Sequence, residues 1–406
     1  MPARPVRWPE WCGKRARSVA EPKQRLAFLD WVRGFACILM FQTHGYDSWL
    51  GEPARQTHFF KLSQLGGTLP APIFLFSSGI SLALVVGRAL QKGATASYVG
   101  RGAIRRGAEI LGFGLLFRVQ EFLLGQPGAP WTDLLRVDIL NIIGIAIMLM
   151  GLMCWAAGLR TGDTGKIAGL GDAVPRRRYV ISAAAIAAAI ALATPPLWTT
   201  HQPRWLPWPL ESYINGVHNL GVPQPWLFPI FPWVAFAFAG LAVGFLLFSP
   251  WARAHEGGAF ALAGVAGALL FVLGKWLDAG RVQLYAVYDF WHTSPNFFLM
   301  RTGVLLGITL GAYAWCRWGP LGKVFGGFSP VIEMGRTSLF VYWVHIEFVY
   351  GRFSILAKRQ QSILSATVGI LIISTAMVLL ATIRNRMKGR GLRSLAFWRR
   401  AEGVPA

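Results

Sequence analysis

Apolar stretches of bilayer length recur along the whole chain, as in "IIGIAIMLMGLMCW" (142–155) and "ILIISTAMVLLATI" (370–383). About 20 such residues in a helix cross the hydrocarbon core, and only helices or closed barrels satisfy the backbone there. Ten helical spans are expected, at about 27–48, 70–90, 103–124, 134–158, 179–196, 226–248, 258–277, 296–316, 330–351 and 362–383. The alanine-rich "ISAAAIAAAIALA" of the fifth is the least lipophilic. The expected fold class is all-α, a polytopic transmembrane helical bundle. No segment between spans is long enough for an inserted soluble domain. The plan is a basic tail (1–25), one transmembrane domain (26–383) and a second basic tail (384–406).

The chain holds 40 Lys and Arg against 18 Asp and Glu, a formal net charge of +22. In a soluble protein that would suggest nucleic acid, but here it follows the rule that Lys and Arg collect in cytoplasmic loops. Alternate segments (the N-terminal tail, 88–106, 159–178, 249–257, 317–329 and 384–406) hold 27 Lys and Arg; the others hold 10. Both termini are therefore expected in the cytoplasm, with no nucleic-acid partner. The first 25 residues lack an apolar core, so no cleavable leader is expected. The last tail suits contact with anionic lipid. The loop "HQPRWLPWPLESYINGVHNLGVPQPW" (201–226) fits either an interfacial tryptophan belt or a cap over a site.

The four cysteines show no metal or disulfide spacing, and no metal site is expected. No P-loop, GxGxxG or HExxH occurs. "FLFSSGISLAL" (74–84) only superficially resembles a serine elbow, and small residues for close helix packing explain it better.

Ionisable residues inside spans carry the functional signal, because they are expensive in lipid and face the bundle interior. In "DWVRGFACILMFQTHGYDSW" (30–49), Arg33 and His44 are eleven residues apart, about 16 Å along a helix. His345, Arg301 and Asp138 fall near the depth of His44. Asp47, three residues beyond His44, would share its helix face and orient the imidazole as a general base, provided Gly45 does not loosen the helix. An inner layer holds Asp30 and Arg33, Arg105, Arg106 and Glu109, and Glu333 and Arg336. Such charges either neutralise one another at the interface or form an electropositive mouth for an anion, for which arginine is well shaped. His58 lies in an outer loop. His201, His218, His255 and His292 take the ordinary reading of loop histidines.

"RLAFLDWVRGFACILMFQTHGYDSWL" (25–50) resembles the opening of the heparan-α-glucosaminide N-acetyltransferase catalytic-domain family, which are transmembrane acyltransferases. Arg25, Asp30, Arg33, Gly34 and His44 fill the family's places. "PIFLFSSGISLAL" (72–84), "RVDILNIIGIAIML" (136–149), "FPWVAFAFAG" (231–240) and "GRTSLFVYWVHIEF" (335–348) resemble later helices in order. Arg33 and His44 also reproduce the Arg-x10-His spacing of the related type-3 membrane acyltransferases. In one departure, the lysosomal enzyme has Asn where His44 stands and a catalytic histidine soon after the first helix. His58 is its nearest counterpart here, so both histidines remain candidate bases.

The resemblance implies transfer of an acyl group, acetyl above all, from cytosolic acyl-CoA to an acceptor outside, a small molecule or glycan. Arg33, Arg336, Arg105 and Arg106 would hold the phosphates of the co-substrate. His44 or His58 would be the base, Asp47 its orienter, and Arg301 or His345 the oxyanion partner. No metal enters. The rival is a proton-coupled transporter using the same buried His, Arg and Asp layer; a structural or polymer-export subunit is a third reading. A bacterial inner membrane is the expected location, and the sequence is compatible with a homodimer.

Overall fold

The computed structural model describes residues 26–159, 173–216, 228–280, 284–319 and 328–389. The tail 1–25, most of 384–406 and residues 217–227 of the long loop lie outside the described residues. Among the described residues fifteen α-helices follow one another: α1 (Ala27–Trp49), α2 (Glu52–Arg55), α3 (His58–Gly67), α4 (Pro70–Gln91), α5 (Ala96–Leu124), α6 (Ile139–Leu159), α7 (Ala173–Trp198), α8 (Trp208–Asn215), α9 (Ile230–Leu247), α10 (Pro250–Ala254), α11 (Glu256–Asp278), α12 (Pro295–Trp318), α13 (Pro330–Arg336), α14 (Ser338–Val349) and α15 (Ile363–Gly389). There are no strands among the described residues, only an isolated bridge between Leu50 and Gln361.

Among the described residues seven helical segments, those containing α4, α6, α7, α9, α11, α12 and α15, are long and apolar enough to cross a bilayer. The alanine-rich run lies within α7, whose apolar window exposes most of its surface, as a lipid-facing helix would. The other three expected spans are also helical but do not meet that standard. α1 and α5 are long enough, and charged residues lower their hydropathy, Asp30, Arg33 and Asp47 in α1 and Arg101, Arg105, Arg106 and Glu109 in α5. The segment 330–351 is interrupted: Thr337, at φ −128° and ψ 24°, leaves the helical region and separates α13 from α14.

Helices approach closely where both partners offer glycine. Gly34 of α1 sits against the Val331 backbone of α13, and Gly335 of α13 sits against the Asp30 backbone. A Cβ on either would collide with main chain rather than with a movable side-chain tip. This reciprocal contact sets Asp30 and Arg33 beside Glu333 and Arg336. Gly79 and Gly240 do the same for α4 and α9, which is the packing expected of "FLFSSGISLAL".

α1 is the hub, packed against α4, α12, α13 and α15. It runs unbroken through Gly45, which lies against Ile370 of α15. Its far end is fixed by Ser48 Oγ donating to the Val349 carbonyl (2.7 Å) and Trp49 Nε1 donating to Ser354 Oγ (3.0 Å). Arg33 and His44 are thus held at set levels of a rigid element.

Candidate active site

Two chambers lie along α1, one at the level of Arg33 and one at the level of His44. The first has a volume of 1440 Å³, above the roughly 300–1,000 Å³ common for small-molecule pockets. Its charged lining is arginine alone: Arg33, Arg101, Arg105, Arg106, Arg336 and Arg384. The acidic partners stand behind these cations. Arg33 has Asp30 at 3.9 Å, Arg106 bonds Glu109 (3.0 Å), and Arg336 bonds Glu333 (2.6 Å). The inner charges are thus paired with acidic partners, while the charged side chains that line the chamber are arginines.

Arg33 is aimed by α4, since its Nη2 donates to Ser81 Oγ (2.6 Å) and its Nε to Ser77 Oγ (3.4 Å). The interruption at Thr337 opens into the same chamber, where Thr337, Ser338 and Leu339 line the wall at the amino end of α14. Irregular backbone at membrane depth is tolerated where it borders a cavity, and a helix amino end adds positive potential there.

The second chamber, 790 Å³, is lined by His44, Arg118, Glu121, Asp138, Trp233 and Glu347 among others. Its charges are mixed, in contrast to the first. Phe74, Ile139 and Tyr342 border both chambers and form the partition between them.

His44 Nδ1 lies 3.0 Å from Nε2 of His345. The ring planes differ by 7° with centroids 5.3 Å apart, which fits two rings edge to edge in a shared plane. Tyr350 meets His44 edge-on. Asp47 does not orient His44, contrary to the sequence expectation. Although α1 stays helical, the Asp47 carboxylate accepts from Arg55 (3.1 Å) and from the Tyr350 hydroxyl (2.8 Å). Residue spacing gave the correct side of the helix and could not show which neighbours claim the carboxylate.

The remaining expected residues divide. Asp138 lines the His44 chamber, held by Arg118 (3.1 Å), the Tyr342 hydroxyl (2.9 Å) and its neighbour's backbone N–H (2.7 Å). His345 is fully buried and lines neither chamber. Arg301 is also outside both: its guanidinium lies 3.9 Å over Phe297 and 5.9 Å from the ring of Trp233, which lines the second chamber. An oxyanion role for Arg301 or His345 therefore has no support from this arrangement. His58 is exposed at the start of α3, outside the chamber that His44 lines.

Sequence reasoning assigns no role to several residues that line this chamber. Arg118 lies inside the third expected span, whose end at 124 agrees with that of α5. Glu121 of α5 and Glu347 of α14 face the same chamber, and Gln120 donates to Glu347. His292, given a bland reading, sits at the rim with Nδ1 2.7 Å from Asp289. The long loop is no simple surface belt: α8 buries Glu211, Ser212 and Asn215. Outside the spans, burial raises the Tyr213 phenol above its usual value, opposed by the Asn141 amide donating to its oxygen (2.9 Å).

The Arg118–Asp138 pair is buried, and removing one partner strands the other's charge. Arg118→Leu is expected to cost about 3–5 kcal/mol, read as a lower unfolding temperature in detergent. The double variant with Asp138→Leu should recover much of that loss; no recovery would show the pair is not the cause.

The comparisons with known proteins meet this geometry. Residues 25–163 match the heparan-alpha-glucosaminide N-acetyltransferase catalytic family. That acetyltransferase-family region runs from α1 through α6 and carries Arg33, His44, Arg118 and Asp138. It bears out the resemblance drawn from the opening helix, and it makes membrane acetyl transfer the activity to weigh against the chambers. His345, Tyr342 and Arg336 lie beyond the matched residues. A search of curated proteins found no match. No cluster of potential metal ligands occurs among the described residues.

Proposed function

We propose that the protein is a ten-span acetyltransferase that takes acetyl from acetyl-CoA on the cytoplasmic side and delivers it to a saccharide hydroxyl or amine on the outer side. The carrying observation is the pair of abutting chambers, one lined only by arginines among charged groups and the other holding His44. The loop-charge asymmetry supports placing the arginine chamber at the cytoplasmic face, with both termini there.

In this reading the phosphates of CoA rest on the arginine wall and the amino end of α14. The flexible pantetheine arm then reaches the partition, bringing the thioester carbonyl to the edge of the His44 chamber. The acceptor enters from outside. His44 Nε2 takes the proton as the acceptor oxygen or nitrogen attacks the carbonyl. The C–S bond breaks, and the imidazolium returns the proton to the departing thiolate, giving acetylated acceptor and CoA. Aromatic side chains such as Trp233 and the carboxyl groups of Glu121 and Glu347 suit the apolar faces and hydroxyls of a sugar.

The test is thiol release in proteoliposomes holding protein of one orientation. Release is expected only with acetyl-CoA on the arginine side and acceptor on the other. Solute uptake without thiol release would favour the transporter and end this reading. A charge-assisted hydrogen bond is worth about 1.5–3 kcal/mol, so Arg33→Gln or Arg105→Gln should weaken acetyl-CoA binding by roughly 10- to 100-fold in calorimetry. Unchanged affinity in both would remove the arginine wall from the donor site.

A further inference from the structure

The fully buried His345 has no place on a chamber wall, yet its hydrogen bonds are directional. Its Nδ1 lies 3.2 Å from the Val341 carbonyl, which can only accept, so Nδ1 carries the ring proton. In the neutral ring Nε2 then holds a lone pair. The atom facing it is His44 Nδ1 at 3.0 Å, which must donate. A neutral His44 protonated at Nδ1 has its own lone pair on Nε2. That atom bonds no protein group among the described residues, and the ring lines the chamber. Phe41 (ring centroids 5.0 Å) and Tyr342 (5.7 Å) pack on His345 and hold its plane.

We infer that His345 is a positioning residue: a chain from the Val341 carbonyl through both imidazoles fixes the His44 tautomer and presents its Nε2 lone pair to the acceptor. A backbone carbonyl is a directional anchor that never ionises. The arrangement orients the base through a backbone carbonyl rather than through Asp47, whose carboxylate is committed to Arg55 and Tyr350. This inference rests on His44 being the base proposed above.

Three substitutions at 345 test it. His345→Gln can place an amide oxygen near the position of Nε2 and accept from His44. His345→Asn can reach Val341 but is too short to meet His44, and His345→Leu offers neither bond. A general base contributes about 10²–10⁴-fold, so kcat should fall by roughly 100-fold or more in the Leu and Asn variants, with KM for acetyl-CoA unchanged. The Gln variant should recover most of that loss. In a His44→Ala background, His345→Leu should add no further loss, because residues acting as one unit are not additive.

Acetyl-CoA binding and the unfolding temperature identify any variant that fails to fold, and the Gln-against-Asn contrast then decides between two polar replacements. Equal activity of Gln and Asn, or a defect confined to KM, overturns the positioning role alone. Full activity of His44→Ala overturns the catalytic reading beneath it, which is a separate outcome.

Discussion

His44→Ala is expected to cut acetyl transfer sharply while leaving acetyl-CoA binding intact. The expected loss is about 10²–10⁴-fold in kcat, the usual contribution of a positioned general base. Binding should survive because the arginine chamber and His44 lie on opposite sides of Phe74, Ile139 and Tyr342. His58→Ala serves as the control: that ring is exposed on α3 and lines neither chamber, so turnover should persist. Measurement of CoA thiol release beside calorimetric binding separates the two quantities. Equal turnover in wild type and His44→Ala would show that the chemistry needs no base at this position. His292→Ala distinguishes the other imidazole at the chamber rim, whose Asp289 partner gives it a base-like setting of its own.

The second large effect concerns the partition. Ile139 is nearly buried and borders both chambers. Ile139→Trp adds bulk where the thioester must approach the acceptor. Displacing a reacting group by about 1 Å can cost 100-fold, so transfer should fall by at least about that factor. Acetyl-CoA should still bind, since the proposal rests its phosphates on the arginine side. A melting curve matters here, because overpacking costs about 1–3 kcal/mol in a tight interior; Phe74→Trp repeats the experiment from α4. Normal transfer in both folded variants would mean that the acetyl group does not cross at this point.

The helices and their charged levels were legible in the primary structure because lipid enforces both. A helix crossing hydrocarbon must be apolar over its length, so its boundaries are written in composition. A charge within it is conspicuous for the same reason. His44, His345 and Asp138 share a depth by residue count along their helices, and the folded chain brings them within one neighbourhood. Azimuth is a different matter. Arg301 falls at a similar level, but α12 turns it onto Phe297, outside the lining of both chambers. The rise per residue predicts depth to within a turn, whereas direction around the axis depends on which helices become neighbours. Arg118 lies within a span whose end was placed correctly, but its pairing with Asp138 joins two helices and is not written in either alone.

Taken alone, the sequence determined an all-helical chain with bilayer-length apolar segments, the asymmetric loop charge, the polar levels along α1 and, over residues 25–163, similarity to an acetyltransferase family. Each is a property of single segments, set by hydropathy, spacing and local motif. Tertiary structure decided the rest: that six arginines share one wall, that α13 and α14 part at Thr337 beside it, and that His44 bonds to His345 rather than Asp47. These depend on segments as far apart as 301 residues meeting at hydrogen-bond distance. Close contacts such as Gly34 with Val331 fix that meeting through backbone packing, which residue spacing within one helix does not encode.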